Sequence, residues 1–297
     1  MTTDTTPTTH AIVPEMPDDI RELLTAIPVQ TVTAVESVSS AHLTTKKRAL
    51  STDGYIPPWA RLQTPKVIAE FTVGTQTFLE PLVHEEPNPL VYPMCTVGYL
   101  TTSNNSQGSG VLVGPNLLLT AAHMVPWGVS GWWMRFAPAY RLGNEPLGVS
   151  YVQNIRGYSD GGVTGHDYAI CQLYNPLGKA LGWMGARSFG RDDDYYNRRY
   201  VSSGYPGTYG GRPAVELDMG IRDIDNDSPG EELEFALRND LTHGWSGGPL
   251  WLPNEGPSVV GVCSGSEKDG LDPTRIVYAA GSPMVDLVKY GLATWPA

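Results

Sequence analysis

From Val91 onward, apolar residues come in short runs, each closed by Gly, Pro, Asn, Asp or Ser. Runs of this length with such boundaries predict short β-strands joined by tight turns. Met94–Leu100, Gly110–Val113, Leu117–Ala121, Trp132–Phe136, Val149–Ile155 and Tyr168–Leu173 form a first set. Tyr200–Ser203, Val215–Ile221, Glu234–Leu237, Pro249–Leu252, Val259–Ser264 and Ile276–Ala280 form a second. The stretch Asn175–Gly190, with Pro176 and several glycines and alanines, reads as the crossing between them. Pro283–Tyr290 carries Met284, Leu287 and Val288 at helical spacing and predicts a closing helix. Two sets of six hairpin-linked strands predict an all-β fold of two antiparallel six-stranded β-barrels, preceded by an N-terminal extension.

The first 90 residues follow a different pattern. Residues 1–16 are rich in Thr and Pro and predict disorder. Pro17-Asp18-Asp19 reads as a helix start, Ile20, Leu23, Leu24 and Ile27 as its apolar stripe, and Pro28 as its stop. Residues 29–45 alternate weakly. Six prolines between 51 and 91 predict an extended arm wrapping the body, with a strand at Val67–Val73. Lys46-Lys47-Arg48 is the one compact basic cluster. It reads as a solvated turn, or as a processing site separating a pro-segment from a body that begins near Ala49. The expected organisation is therefore an extension over 1–90, a first barrel over 91–180 and a second over 181–297.

Composition narrows the function classes. Charged residues are 17% of the chain, against 33 Gly and 25 Pro, which fits many turns rather than long surface helices. A net charge of −11 without a basic face argues against a nucleic-acid partner. No apolar stretch reaches the roughly 18 residues of a membrane span, so no membrane insertion is expected. The start, Met1-Thr2-Thr3-Asp4, has neither the basic nor the apolar part of a secretory leader. The three cysteines (Cys95, Cys171, Cys263) all lie in apolar runs, and an odd number leaves at least one free thiol. Reduced, buried thiols and the missing leader favour the cytoplasm; secretion stays open.

Candidate chemistry sits in three places. Thr242-His243-Gly244-Trp245-Ser246-Gly247-Gly248-Pro249 sets a serine between glycines. A serine hydroxyl needs a base to take its proton and donors to stabilise the oxyanion, and glycines let backbone N–H groups point at a reacting carbonyl. Leu118-Leu119-Thr120-Ala121-Ala122-His123 ends an apolar run in a histidine. Gly165-His166-Asp167-Tyr168-Ala169-Ile170 places a carboxylate before another such run, with His166 beside it as a rim residue. Thr-Ala-Ala-His, His-Asp-Tyr-Ala-Ile and Gly-Trp-Ser-Gly-Gly-Pro, in this order over residues 92–290, resemble the signature blocks of chymotrypsin-like serine proteases.

That resemblance implies two barrels with an active site in the cleft between them. It implies a serine endopeptidase acting on protein or peptide substrates through an acyl-enzyme, with no cofactor and no metal. His123 would be the general base, Asp167 its orienting carboxylate and Ser246 the nucleophile; the N–H groups of Gly244 and Ser246 would form the oxyanion hole. The family's frequent Asp before the nucleophile, which pairs with an amine freed by activation cleavage, is Trp245 here. Asn239–Pro249 together with Gly204-Tyr205-Pro206 is similar to the bacterial glutamyl-endopeptidase-like branch. For specificity, Asp240 is either a pocket floor selecting Arg or Lys, or structural. Thr242 and His243 would line the pocket rim, and Ser264 and Gly265 would pair with substrate backbone. Cys263 stands where that branch carries a glutamate-binding histidine, either as a small apolar pocket wall or as a core thiol. A different class remains as the alternative: a catalytically inactive or latent protease-fold binding module regulated by its extension.

Overall fold

The computed structural model describes residues 27–43, 46–60, 70–73, 76–79, 83–85, 88–159, 162–225, 230–236, 243–268 and 274–297. The expected disordered start and the body of the helix begun at Pro17 lie outside them.

The first set of strands closes into a barrel. Ser150–Tyr158, Ala169–Leu173, Leu117–Thr120, Gln107–Gly114, Val97–Thr102 and Met134–Pro138 pair in that order, and the last returns to the first. Closure uses only Ser150 opposite Phe136 and Tyr151 opposite Arg135. Along the rest of that edge Ser150–Tyr158 pairs instead with the arm strand Ala34–Val38. It runs parallel, with Ala34 opposite Asn154 and Val38 opposite Tyr158.

These strands read as continuous apolar runs because both of their faces are covered. On Leu117–Thr120, Leu118 points into the barrel's own core, while Leu117 and Leu119 join a second core shared with the other sheet. Gln107–Gly114 divides in the same way, with Leu112 inside and Val111 and Val113 outside. The period of two survives, but the outer positions face Val201, Val215, Trp251, Val259 and Val262 instead of water. Full burial of each such side chain contributes about 1.5–3 kcal/mol, so docking of the two sheets is strongly specified.

The second set forms a ten-stranded sheet. Its main path runs Asp223–Asp225, Glu231–Ala236, Arg275–Ala280, Ser258–Glu267, Pro249–Leu252, Tyr200–Gly204, Ala214–Met219 and the arm's Val83–Glu85. Gly185–Ser188 joins Ser258–Glu267 in parallel, and Leu50–Ser51 from the arm lies outside it. Among the described residues this path is open, and it is larger than the six strands expected. Two strands come from the arm, and Gly185–Ser188 falls in the stretch read as a crossing. That stretch also holds a short helix, Leu177–Leu181. Covering a sheet edge with an arm strand satisfies backbone groups that would otherwise be open to other chains. The expected strand at Val67–Val73 is Glu70–Val73, in a hairpin with Gln76–Leu79.

The closing helix spans Ser282–Thr294, with Pro283 in its first turn, where the missing N–H costs nothing. Met284, Val285, Leu287, Val288 and Gly291 form its buried face. Gly291 marks a close approach, since a Cβ there would lie 2.6 Å from Leu117 Cδ1 and make that side chain shift. The basic cluster is docked against the body: Lys47 pairs with Asp192, Arg48 pairs with Asp286, and the Arg48 carbonyl accepts from Ser188 Oγ at 2.8 Å.

Candidate active site

Strand pairing brings the histidine and the carboxylate together. Ala169 is registered opposite Thr120, so the end of one strand lies beside the start of the other. A single 3-10 turn, Ala122–Met124, then swings His123 toward the cleft. The His123 N–H donates to Asp167 Oδ1 at 2.9 Å, and His123 Nδ1 lies 2.6 Å from Asp167 Oδ2. A carboxylate only accepts, so Nδ1 carries the proton and Nε2 is left to accept one. Asp167 is fully buried, and its Oδ2 takes a further 2.6 Å hydrogen bond from Ser264 Oγ, which belongs to the second sheet.

Ser246 stands in the turn before Pro249–Leu252, and both sheets hold that turn. From the first barrel, the Ser109 N–H donates to Ser246 O and Ser109 Oγ to Gly244 O, each at 2.8 Å. From the second sheet, the carbonyl of Cys263 accepts from the Gly247 N–H at 2.8 Å. Gly244 and Gly247 have φ of 100° and 78°, and a Cβ at either would strike backbone, at Tyr205 O and Ser109 O respectively. Only glycine fits there. Among the described residues, the N–H groups of Gly244, Trp245 and Ser246 meet no acceptor, while those of Gly247 and Gly248 are engaged.

His123 and Ser246 line one cavity of about 410 Å³, together with His243, Trp245, Cys263, Ser264, Gly265, Ser266, Val163 and Ile276. Among the described residues no hydrogen bond joins Ser246 Oγ to His123, a separation common before substrate tightens such a site. His243 is exposed at the rim and Cys263 is buried in the wall. Burial raises the Cys263 thiol, helped by the carboxylates of Asp167 and Glu216, so it stays protonated and apolar. Asp240 and Thr242 lie outside the described residues. His166 departs from the expected rim position: it is buried, with its ring edge-on to Tyr158. All three cysteines are free and buried, and burial pushes Cys95 up to about 12.

Two participants escaped the reading of the sequence. Ser264 was read only for the strand that would pair with substrate backbone, and the contact of its hydroxyl with Asp167 was not foreseen. Ser109 had no signal at all, because a serine in a strand 137 residues before Ser246 carries no local mark of its partner.

A closed barrel and a second sheet, with a histidine–carboxylate pair and a glycine-flanked serine facing one cavity, define the architecture of a chymotrypsin-like hydrolase. A family model described as Trypsin matches residues 92–288, more than half of the chain, and the chain belongs to that family of serine endopeptidases. An extracellular metalloprotease of Bacillus subtilis (strain 168) is 29% identical over 98 residues, 31% of each sequence, so the chain matches about a third of that relative's length. Among solved structures, a Glu endopeptidase in complex with MPD superposes with a TM-score of 0.60 at 20% identity, covering 72% of this chain and 98% of the other. The protease Anisep from Arthrobacter nicotinovorans gives 0.53 at 20% identity over 67% and 96%. The thermostable serine protease AL20 from an extremophilic microorganism gives 0.53 at 20% identity over 67% and 98%.

Proposed function

We propose that His123, Asp167 and Ser246 are the catalytic triad of an endopeptidase that hydrolyses peptide bonds through an acyl-enzyme. Ser246 Oγ attacks the scissile carbonyl carbon as His123 Nε2 takes its proton. The tetrahedral oxyanion is met by the N–H groups of Gly244 and Ser246. His123 returns the proton to the leaving amine, the C–N bond breaks, and water attacks the acyl-enzyme with His123 again as base. Asp167 keeps His123 in the required tautomer and stabilises its imidazolium. The observation that carries this reading is the His123–Asp167 pair, held at 2.9 and 2.6 Å by strand register and opening onto the cavity that Ser246 lines.

On specificity, the described lining of the cavity carries no carboxylate, lysine or arginine, and Cys263 and Ile276 give it apolar surface beside the hydroxyls of Ser264 and Ser266. A neutral residue before the cleaved bond is therefore favoured over glutamate, with His243 at the rim as the one imidazole besides His123 among the described lining residues. The test is digestion of a diverse peptide library beside Ser246→Ala, with cleavage sites read by mass spectrometry. Cleavage lost in the variant, and concentrated after neutral residues, is expected. Cleavage that persists in Ser246→Ala would sink the triad; cleavage after Glu would move the pocket's chemistry to His243. An inactive scaffold, the other reading of this fold, would fail to label with a serine-directed fluorophosphonate.

A further inference from the structure

We propose that Trp245 is a positioning residue: its indole, anchored to Ser202 in the core of the second sheet, holds the Ser246 turn in its working conformation without help from a freed N-terminus. The inference rests on Ser246 being the nucleophile.

The side chain next to Ser246 is 1% exposed. Its Nε1–H donates to Ser202 Oγ at 2.7 Å, and the same oxygen accepts from Tyr278 O–H at 2.7 Å. Ser202 and Tyr278 are fully buried and belong to strands that frame the turn. Ser202 is registered opposite Leu250, four residues after Ser246, and Tyr278 opposite Cys263, whose carbonyl holds Gly247. The main chain of Trp245 is fixed as well, because its carbonyl accepts from the Gly248 N–H at 2.7 Å. A Cβ on Gly204 would lie 3.3 Å from the indole Cδ2, so the ring packs closely over that glycine. A residue locked at both side chain and backbone fixes the peptide planes on either side of it, and these carry the N–H groups of Trp245 and Ser246.

The anchor is a neutral donor with an acceptor inside the fold, so it is complete in the uncut chain. Competence then needs no cleavage at Lys46–Arg48, where both Lys47 and Arg48 are already paired.

The molecule supplies its own control. Trp251 is equally buried and donates from its indole to Ser203 Oγ at 3.1 Å, but it lies in the strand beyond the turn. The experiment compares the uncut full chain with Trp245→Phe, Ser202→Ala and Trp251→Phe, measuring kcat, KM, fluorophosphonate labelling rate and Tm. Expected are a fall in kcat of tenfold or more for Trp245→Phe and Ser202→Ala, KM within twofold, labelling slowed in parallel, and no further loss in the double variant. Trp251→Phe is expected to lower Tm while keeping kcat within twofold. Should Trp245→Phe fail to fold, Ser202→Ala removes the same bond from the other side. Wild-type kcat in Trp245→Phe or Ser202→Ala, or equal kcat losses in Trp245→Phe and Trp251→Phe, would overturn the proposal. So would an uncut chain that becomes active only after cleavage. Cleavage that survives in Ser246→Ala would instead overturn the triad on which it rests.

Discussion

The first barrel and the second sheet each supply half of the candidate site, by different means. In the barrel, His123 and Asp167 stand at neighbouring strand ends, and the register of Leu117–Thr120 against Ala169–Leu173 sets their distance. Backbone ladders set where the two residues stand, and the Asp167 carboxylate then fixes the imidazole. In the second sheet, Ser246 lies in a turn between strands, held by individual contacts from Ser109, Cys263 and Trp245. The same degree of order is reached once through regular secondary structure and once through a few separately placed hydrogen bonds. Apart from the catalytic groups themselves, the second half should therefore be the more sensitive to loss of a single supporting side chain.

That contrast can be broken at graded cost. The largest effect is expected from Asp167→Asn, which presents an amide N–H to His123 Nδ1 and favours the wrong tautomer. By analogy with triads in general, kcat should fall about 10⁴-fold. A loss below tenfold would mean that the ladder alone orients His123. Next is Ser109→Ala, which leaves Gly244 O and the Tyr205 N–H without their shared hydroxyl. Unpairing buried groups costs about 1–3 kcal/mol. Chemical denaturation should register that loss, with kcat reduced about tenfold as the turn loosens; unchanged kcat would show that the second sheet secures the turn unaided. The smallest catalytic effect is expected from removing residues 1–38. The arm strand Ala34–Val38 lines no part of the described active cavity, so kcat/KM should hold within twofold. Tm should drop by about 4–8 °C, corresponding to about 2 kcal/mol in a domain of this size. A rise in activity would instead assign the arm an inhibitory role.

The first barrel was readable strand by strand, because six apolar runs separated by turn residues left few alternatives. The helix at Ser282–Thr294 was readable from its stripe. Gly185–Ser188 was not: its Gly-Ala-Arg-Ser has the composition of a linker, and it is a strand only because Ser258, Val259, Leu50 and Ser51 offer it partners. The three signature blocks made His123, Asp167 and Ser246 legible as candidates. The groups that hold them were not, since Ser264 lies 97 residues from Asp167 and Ser202 lies 43 from Trp245. Hydrogen bonds of that span leave no periodicity in a sequence. Burial of His166 was equally hidden, because its position beside Asp167 suggested the rim while Tyr158 covers it.

The arm strand paired beside Ser150–Tyr158 has a consequence for how the chain comes to be made. Glu36 and its partner Arg156 are 120 residues apart. At typical synthesis rates of roughly 5–20 residues per second, Ala34–Val38 waits about 6–24 s on the ribosome before its neighbour exists. Its place in the barrel is a parallel slot that opens only once Ser150–Tyr158 has emerged. Among the described strands of the first sheet Ala34–Val38 is made first, yet it can be seated only after Ser150–Tyr158, the last but one of them, has been made.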